Sequence, residues 1–332
     1  MRRQPLRARR AGLSLLAAGL LALLSALLPV HAALAAPSVR LVPAGRLFSD
    51  LASPGDAQVF GALAALGAFQ GDGGPGGPVR PDDPIDRAEF ASVLAQLTGR
   101  AGVASVMSSF QPPYADAAAI PNWARGAVNV AYSAGLLRGY PDGTFRPDRP
   151  VSEAEVLAAL ARTAGYTSAP GSWPGNWVDL ADAQGLADKS TVDPSAAATR
   201  RFVAQVAYRA LFIPGPDGKT LFARTGGAEG EVAVLDGATI RIRPPAAGSA
   251  LGSTRILSSL DPASAEAPEA IRPAPGALAA LGETVTYRDP DLFALAPQVI
   301  AIGFASWSDL KVGTLVRLYL NDGQVTGIET VQ

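Results

Sequence analysis

The sequence predicts a multidomain α + β protein: an α-helical repeat unit followed by a small antiparallel β-barrel-like domain, both behind an export signal. Three observations predict it. A Pro-rich turn leading into a capped helix recurs at an offset of about 66 residues. After about residue 229 the apolar pattern changes from helical spacing to alternating runs broken by hairpin turns. The N-terminus is basic, then apolar, then small-residue-rich.

The order of elements begins with residues 1–35. Arg2, Arg3, Arg7, Arg9 and Arg10 precede an apolar run from Ala11 to Val30, and Ala33-Leu34-Ala35 supplies a small-x-small cleavage pattern. Cleavage is the expectation, with a retained anchor as the alternative, because about 20 apolar residues suffice to span a bilayer. The segment carries five of the 28 basic residues and no acidic one, so the remainder holds 23 basic against 29 acidic residues, a net charge of −6. That balance argues against a nucleic-acid partner, which requires a basic face. The chain has no cysteine, and its one histidine, His31, lies in this segment. Cys/His zinc sites, His-based catalytic triads and disulfides are therefore excluded from the remainder.

Residues 46–213 carry the repeats, at about 46–100, 114–166 and 177–213. In the first, Arg80-Pro81-Asp82-Asp83-Pro84 leads to Asp86 and Glu89, the two ends of a capping box, and then to Phe90, Val93, Leu94 and Leu97 at helical spacing. In the second, Arg146-Pro147-Asp148-Arg149-Pro150 leads to Ser152 and Glu155, then Val156, Leu157 and Leu160. Upstream, Phe48-Ser49-Asp50 corresponds to Tyr114-Ala115-Asp116 and to Trp177-Val178-Asp179. Helices follow the first two, over Gln58–Leu66 and Trp123–Ala134, each ending at a glycine, Gly67 or Gly135. Pro141-Asp142-Gly143 is a turn, with Pro fixing φ and Gly accepting a positive one. The third copy is degenerate, with its first helix shortened or lost between Asp179 and Asp193 and its second opening at Thr199-Arg200-Arg201-Phe202.

These residues resemble S-layer homology (SLH) repeats. The second copy carries the fullest match: Asp116, Trp123, Gly135-Leu136-Leu137, Gly139-Tyr140, Asp142-Gly143, Phe145 and Pro147. The resemblance implies a compact, pseudo-threefold helical domain that holds a secondary cell-wall polysaccharide, commonly one bearing a pyruvate ketal. It also implies an arginine at a helix start, within a Thr-Arg-Ala-Glu motif, that meets the ketal carboxylate. Paired charge-assisted hydrogen bonds and free N–H groups at the helix N-terminus suit that chemistry. Carried onto this chain, the implied glycan-binding residues are Arg87, Arg200, Trp123, Asp116, Asp50, Gly139 and Tyr140. Arg200 fits in the register set by Leu211; if Phe202 sets the register, Thr199 takes its place. In the second copy Glu153 replaces the arginine and repels a carboxylate.

Residues 214–228 are rich in Gly and Pro and read as a linker to a β domain over 229–332. Runs at Val232–Leu235, Thr239–Arg243, Gly282–Tyr287, Val299–Phe304, Val312–Leu320 and Val325–Val331 read as strands. Asp236-Gly237 and Asn321-Asp322-Gly323 are the hairpin turns, and Pro244 to Pro275 is a long loop. Closure into a barrel buries one face of so small a sheet and removes its edges.

No enzyme is expected. The tight acidic pairs, Asp82-Asp83 and Asp289 with Asp291, sit beside prolines, and two catalytic carboxyls must face each other across a cleft. No cofactor or metal is implied, since Asp142-Gly143 offers too few carboxylates for calcium. The expectation is a secreted, cell-surface protein whose repeats hold a peptidoglycan-linked glycan, with other envelope proteins as further partners. The rival readings are a scaffold or S-layer assembly protein whose repeats no longer bind glycan, and a wall-processing hydrolase.

Overall fold

Helix starts are where the repeats declare themselves in the computed structural model, which describes residues 39–235, 238–243 and 292–331. Helices α1 (Pro54–Ala65), α2 (Arg87–Leu97), α3 (Ala101–Met107), α4 (Asn122–Ser133), α5 (Glu153–Thr163), α6 (Gly175–Ala183), α7 (Arg200–Phe212) and α8 (Leu221–Arg224) follow in order. Both predicted capping boxes form: Asp86 and Glu89 open α2, and Ser152 and Glu155 open α5. Thr199 caps α7 by accepting from the Phe202 N–H at 3.1 Å. Thr199 is thus the cap and Arg200 the first helical residue, the register in which Arg200 matches Arg87.

The second helix of each copy packs on the first helix of the next: α2 on α4, α5 on α6, and α7 back on α1. The turns before these second helices meet in a closed ring of hydrogen bonds. Ile85 donates to Ala198 O (3.1 Å), Ala198 to Val151 O (2.9 Å), and Val151 to Ile85 O (3.0 Å). The ring pairs backbone groups that burial would otherwise leave unsatisfied, and the side chains of Ile85, Val151 and Ala198 are fully buried beside it.

The third copy differs from expectation. Its first helix is present as α6, and Trp177-Val178-Asp179 lies inside it rather than before it. Gly185, at φ 74°, ends the copy's first-helix segment as Gly67 (75°) and Gly135 (66°) end theirs. The match of Trp177 to Tyr114 was a chance likeness of aromatic-x-Asp, so the third copy has no counterpart of Asp50 or Asp116.

The strands are β1 (Arg40–Pro43), β2 (Ala228–Leu235), β3 (Thr239–Arg243), β4 (Leu292–Ile302), β5 (Leu315–Asn321) and β6 (Gln324–Thr330). They run β1-β4-β3-β2-β5-β6, and a further β4–β6 pairing closes five of them into a barrel. The barrel is not wholly antiparallel, because β4–β6 is parallel, as is the added β1–β4 pair. Val232, Ile240, Ile242, Val299, Val316, Leu318, Val325 and Ile328 fill it. The predicted hairpin joins β5 to β6, with Asp322 at φ 49° and Gly323 at 75°, the two positive φ values of a type I′ turn. The export segment, Gly282–Tyr287, the Asp236-Gly237 turn, the 244–275 loop and the Asp289/Asp291 pair lie outside the described residues.

Residues 214–228, expected as a linker, are folded. They hold α8, whose Leu221 and Phe222 are buried, and Phe222 stacks between Phe212 and Tyr319. The described residues fall in one compact unit, Ser38–Gln332. Helix α1 lies on β4, β5 and β6, and Ile300, Ile302 and Tyr319 belong to the same core as the helices. At this joint Glu329, 1% exposed, accepts from Gln58 (2.6 Å), Tyr208 (2.7 Å) and Tyr319 (2.6 Å). Arg317 lies between Glu329 and Glu229 and completes the network.

Candidate functional site

The first residue of α2 decides how the site must be read. Arg87 is 1% exposed. Its guanidinium donates from Nε to Phe145 O (2.8 Å), from Nη1 to Glu155 Oε1 (2.9 Å) and from Nη2 to Arg138 O (2.8 Å). All three acceptors belong to the second copy. Arg200, 8% exposed, does the same one step round the ring, donating to Val79 O (2.7 Å) and Glu89 Oε1 (3.1 Å) of the first copy. The expected cationic fork at the helix mouth therefore does not face solvent. Each arginine is turned inward because a neighbouring copy offers it carbonyls and a capping-box glutamate, and a buried guanidinium needs such partners.

Asp50 and Asp116 are also engaged by the fold. Asp116 accepts the N–H groups of Phe145 and Arg146, both at 2.7 Å, and Asp50 accepts those of Val79 (2.9 Å) and Arg80 (2.7 Å). Arg80 and Arg146 have φ values of 52° and 57°, so each carboxylate pins a left-handed turn. Gly139 is required by space: a Cβ there would stand 2.6 Å from Tyr114 Cε1. Glu153 accepts the Asp193 N–H at 3.0 Å across to the third copy. Its carboxyl is raised above the usual glutamate range, chiefly by burial and against that hydrogen bond. The acidic pair Asp82-Asp83 is spent in ion pairs, Asp82 with Arg201 and Asp83 with Arg80.

Tyr140 and Trp123 remain open to a ligand. Tyr140 is half-buried and its hydroxyl donates to Glu155 Oε1 at 2.9 Å. Its ring is flanked by three guanidinia: Arg146 at 4.3 Å, Arg87 at 4.6 Å and Arg149 at 4.9 Å from the centroid. Burial raises the phenol, while Arg87 opposes the shift. Arg146 and Arg149 are exposed. Arg146 pairs with Asp142 at 2.6 Å, and Asp142 is held down to about 2, first by the Thr144 hydroxyl and backbone N–H. Arg149 stacks on Tyr140 without an ion pair among the described residues. Trp123 is 62% exposed near the N-terminus of α4, whose cap residue, Pro121, gives no side-chain bond. Sequence reasoning passed over Arg146 and Arg149. The readable sign was Arg-Pro-Asp-Arg-Pro in the second copy against Arg-Pro-Asp-Asp-Pro in the first, a change from acid to base in one turn.

Comparison with known proteins agrees with the repeat geometry. The family model of the S-layer homology domain matches residues 48–91 and 113–157. The chain is 32% identical over 108 residues to the middle cell wall protein of Brevibacillus brevis, covering 32% of this chain and 10% of that protein. It is 46% identical over 48 residues to cell surface glycoprotein 1 of Acetivibrio thermocellus, covering 14% and 2%. It is 30% identical over 93 residues to a cell surface protein of Thermoanaerobacter kivui, covering 28% and 12%. The likeness thus spans a small part of each relative. With their capped helices, glycine stops and matching turns, residues 48–91 and 113–157 are S-layer homology repeats.

Proposed function

We propose that the chain anchors itself non-covalently to the wall by binding an acidic secondary polysaccharide, one bearing a pyruvate ketal, on its repeats. A secreted, cell-wall-associated location follows from the repeats and from the surface proteins they resemble. The observation that carries the binding reading is the exposed Arg146 and Arg149 against the Tyr140 ring, in the repeat with the fullest family pattern. A guanidinium meets a carboxylate with two parallel hydrogen bonds, and an aromatic face covers the apolar face of a sugar. Trp123, in the same repeat, supplies a second such face. The three copies act as one pseudo-threefold unit, and the barrel is a structural module fixed to it through the Glu329 joint rather than a tethered one.

Retention of the purified chain on sacculi tests this. The chain should pellet with native sacculi. It should pellet about tenfold less when ketal groups are removed, or in the Arg146→Ala/Arg149→Ala variant, as loss of a charge-assisted pair predicts. Retention indifferent to both changes would refute the assignment. The burial of Arg87 and Arg200 favours a second reading, a scaffold whose repeats no longer hold glycan. It requires that the wild-type chain wash off native sacculi.

A further inference from the structure

The helical repeats interrupt the barrel. Strand β1 lies ahead of them and β2 to β6 lie behind them, so residues 44–227 form an insert between the first strand and the rest. Closing so long a loop costs entropy, and β1 sets only four residue pairs against that cost, Arg40 to Pro43 with Gln298 to Ala301. Both parallel pairings of the barrel fall on β4. Ile300 pairs with Val42 on one side and Gly327 on the other, and Ala301 with Pro43 and Ile328. Strand β4 therefore stands between β1 and β6, and all three point the same way.

That direction decides how the trio meets a pull. Arg40 is level with Gln298, and Glu329 with Ile302. Val331 continues β6, donating to Leu315 O at 2.9 Å. The offset from Arg40 to Val331 along β4 is thus about six residues, ~20 Å, against a sideways offset of two strand spacings, ~10 Å. Tension entering at Arg40 and leaving at Val331 runs mainly along the strands. It loads both ladders in shear, where the hydrogen bonds share the load and must fail together.

Side chains fasten both outer strands against sliding. On β1, Leu41 packs on the barrel core and Val42 on the helical core. On β6, Glu329 holds Gln58, Tyr208 and Tyr319, and Thr326 donates to Ala65 O of α1 at 2.7 Å. Gly327 lets α1 come so near, since a Cβ there would stand 2.5 Å from Ala65 Cβ.

We propose that β1, β4 and β6 form a load-bearing clamp: tension along the chain, from ahead of β1 to beyond β6, is carried by the two parallel ladders, and the repeats stay outside the force path. The repeats remain folded while the chain is under load. The clamp rests on strand direction and is independent of what the repeats bind.

The chain has no cysteine, so paired cysteines can fix DNA handles at chosen points of the full chain for an optical trap. The first pair, Arg40→Cys with Val331→Cys, pulls along the strands. The second, Arg40→Cys with Gln324→Cys, pulls across them, because Gln324 opens β6 at the end where β1 begins. It peels the same β1–β4 ladder bond by bond. None of the three side chains is buried. At one fixed force the first pair should outlast the second by at least about fivefold for each ladder bond that must break in the same step. Its extension should hold constant until a single rupture, with the length of residues 44–227 released only afterwards. Equal lifetimes in the two geometries, or stepwise lengthening of the first pair before its rupture, would overturn the clamp. Retention on sacculi has no bearing on either outcome.

Discussion

Replacing Arg87 by alanine removes a guanidinium that is 1% exposed and holds three acceptors at 2.8–2.9 Å. Two are carbonyls, Phe145 O and Arg138 O, which then lose a buried donor at about 1–3 kcal/mol each where no water replaces it. The third is the Glu155 carboxylate, 16% exposed, which keeps the Tyr140 hydroxyl and the Ser152 N–H but loses its cation. Breaking one side of a buried pair costs about 3–5 kcal/mol. The contributions overlap, so the expected total is about 3–5 kcal/mol. Urea unfolding followed by circular dichroism should show the midpoint falling with an unchanged slope. The melting temperature should drop by roughly 2–4 °C per kcal/mol. Arg87→Lys should fall between, because an ammonium keeps the charge and loses the planar fork. A loss under about 1 kcal/mol, the worth of an exposed ion pair, would refute the inward geometry and return Arg87 to the solvent as a ligand group.

Three other outcomes follow from the same packing. Glu329→Ala, which strips Gln58, Tyr208, Tyr319 and Arg317 of their common acceptor, should cost about 3–5 kcal/mol in urea unfolding; it should loosen helices and barrel together, and separate transitions for the two would contradict a shared core. Burial holds the Tyr208 and Tyr319 phenols well above their ordinary value of 10.0 and Tyr114 at about 12. A raised folded value means stability complete below pH 10 and lost as pH climbs through it, by up to about 1.4 kcal/mol per pH unit for each tyrosine; absorbance at alkaline pH should show these phenols ionising only with unfolding. Gly139→Ala places a methyl 2.6 Å from Tyr114 Cε1 and 2.9 Å from Thr144 O; a cost of about 1–3 kcal/mol is expected in thermal melts, and a neutral variant would mean that the turn has room to shift.

Much of the helical part was legible because its information is local. Asp86 with Glu89 and Ser152 with Glu155 name helix starts within four residues, and Asn321-Asp322-Gly323 names a hairpin within three. What depended on distant partners was not. Helix α6 begins at Gly175 after Pro174, which gives no side-chain cap, and its Trp177-Val178-Asp179 imitates a loop motif. Strand β1 is four residues long and exists only because β4, far along the chain, pairs with it in parallel. The direction of Arg87 was hidden for the same reason. The residues that turn it inward, Arg138, Phe145 and Glu155, belong to another copy.

The interface between the second and third copies shows why the arginine motif reads as structural here. At the other two interfaces an arginine at the first helical position meets a capping-box glutamate of the next copy, Arg87 with Glu155 and Arg200 with Glu89. At the second-to-third interface both members are replaced: Glu153 stands for the arginine, and Phe202 stands for the glutamate. Had the arginine stayed opposite Phe202, a buried cation would have lacked its anion, at a cost of several kcal/mol. Had Glu155's counterpart stayed opposite Glu153, two carboxylates would have faced each other. Glu153 instead turns to the Asp193 N–H, and Phe202 packs against the helical core. A ligand-binding arginine could be lost without any change in its neighbour. Paired replacement is what a side chain requires when its partner is the next copy of the repeat. On the proposed anchoring role, the solvent-facing chemistry of the second copy then rests on residues outside that pair, among them Tyr140, Arg146, Arg149 and Trp123.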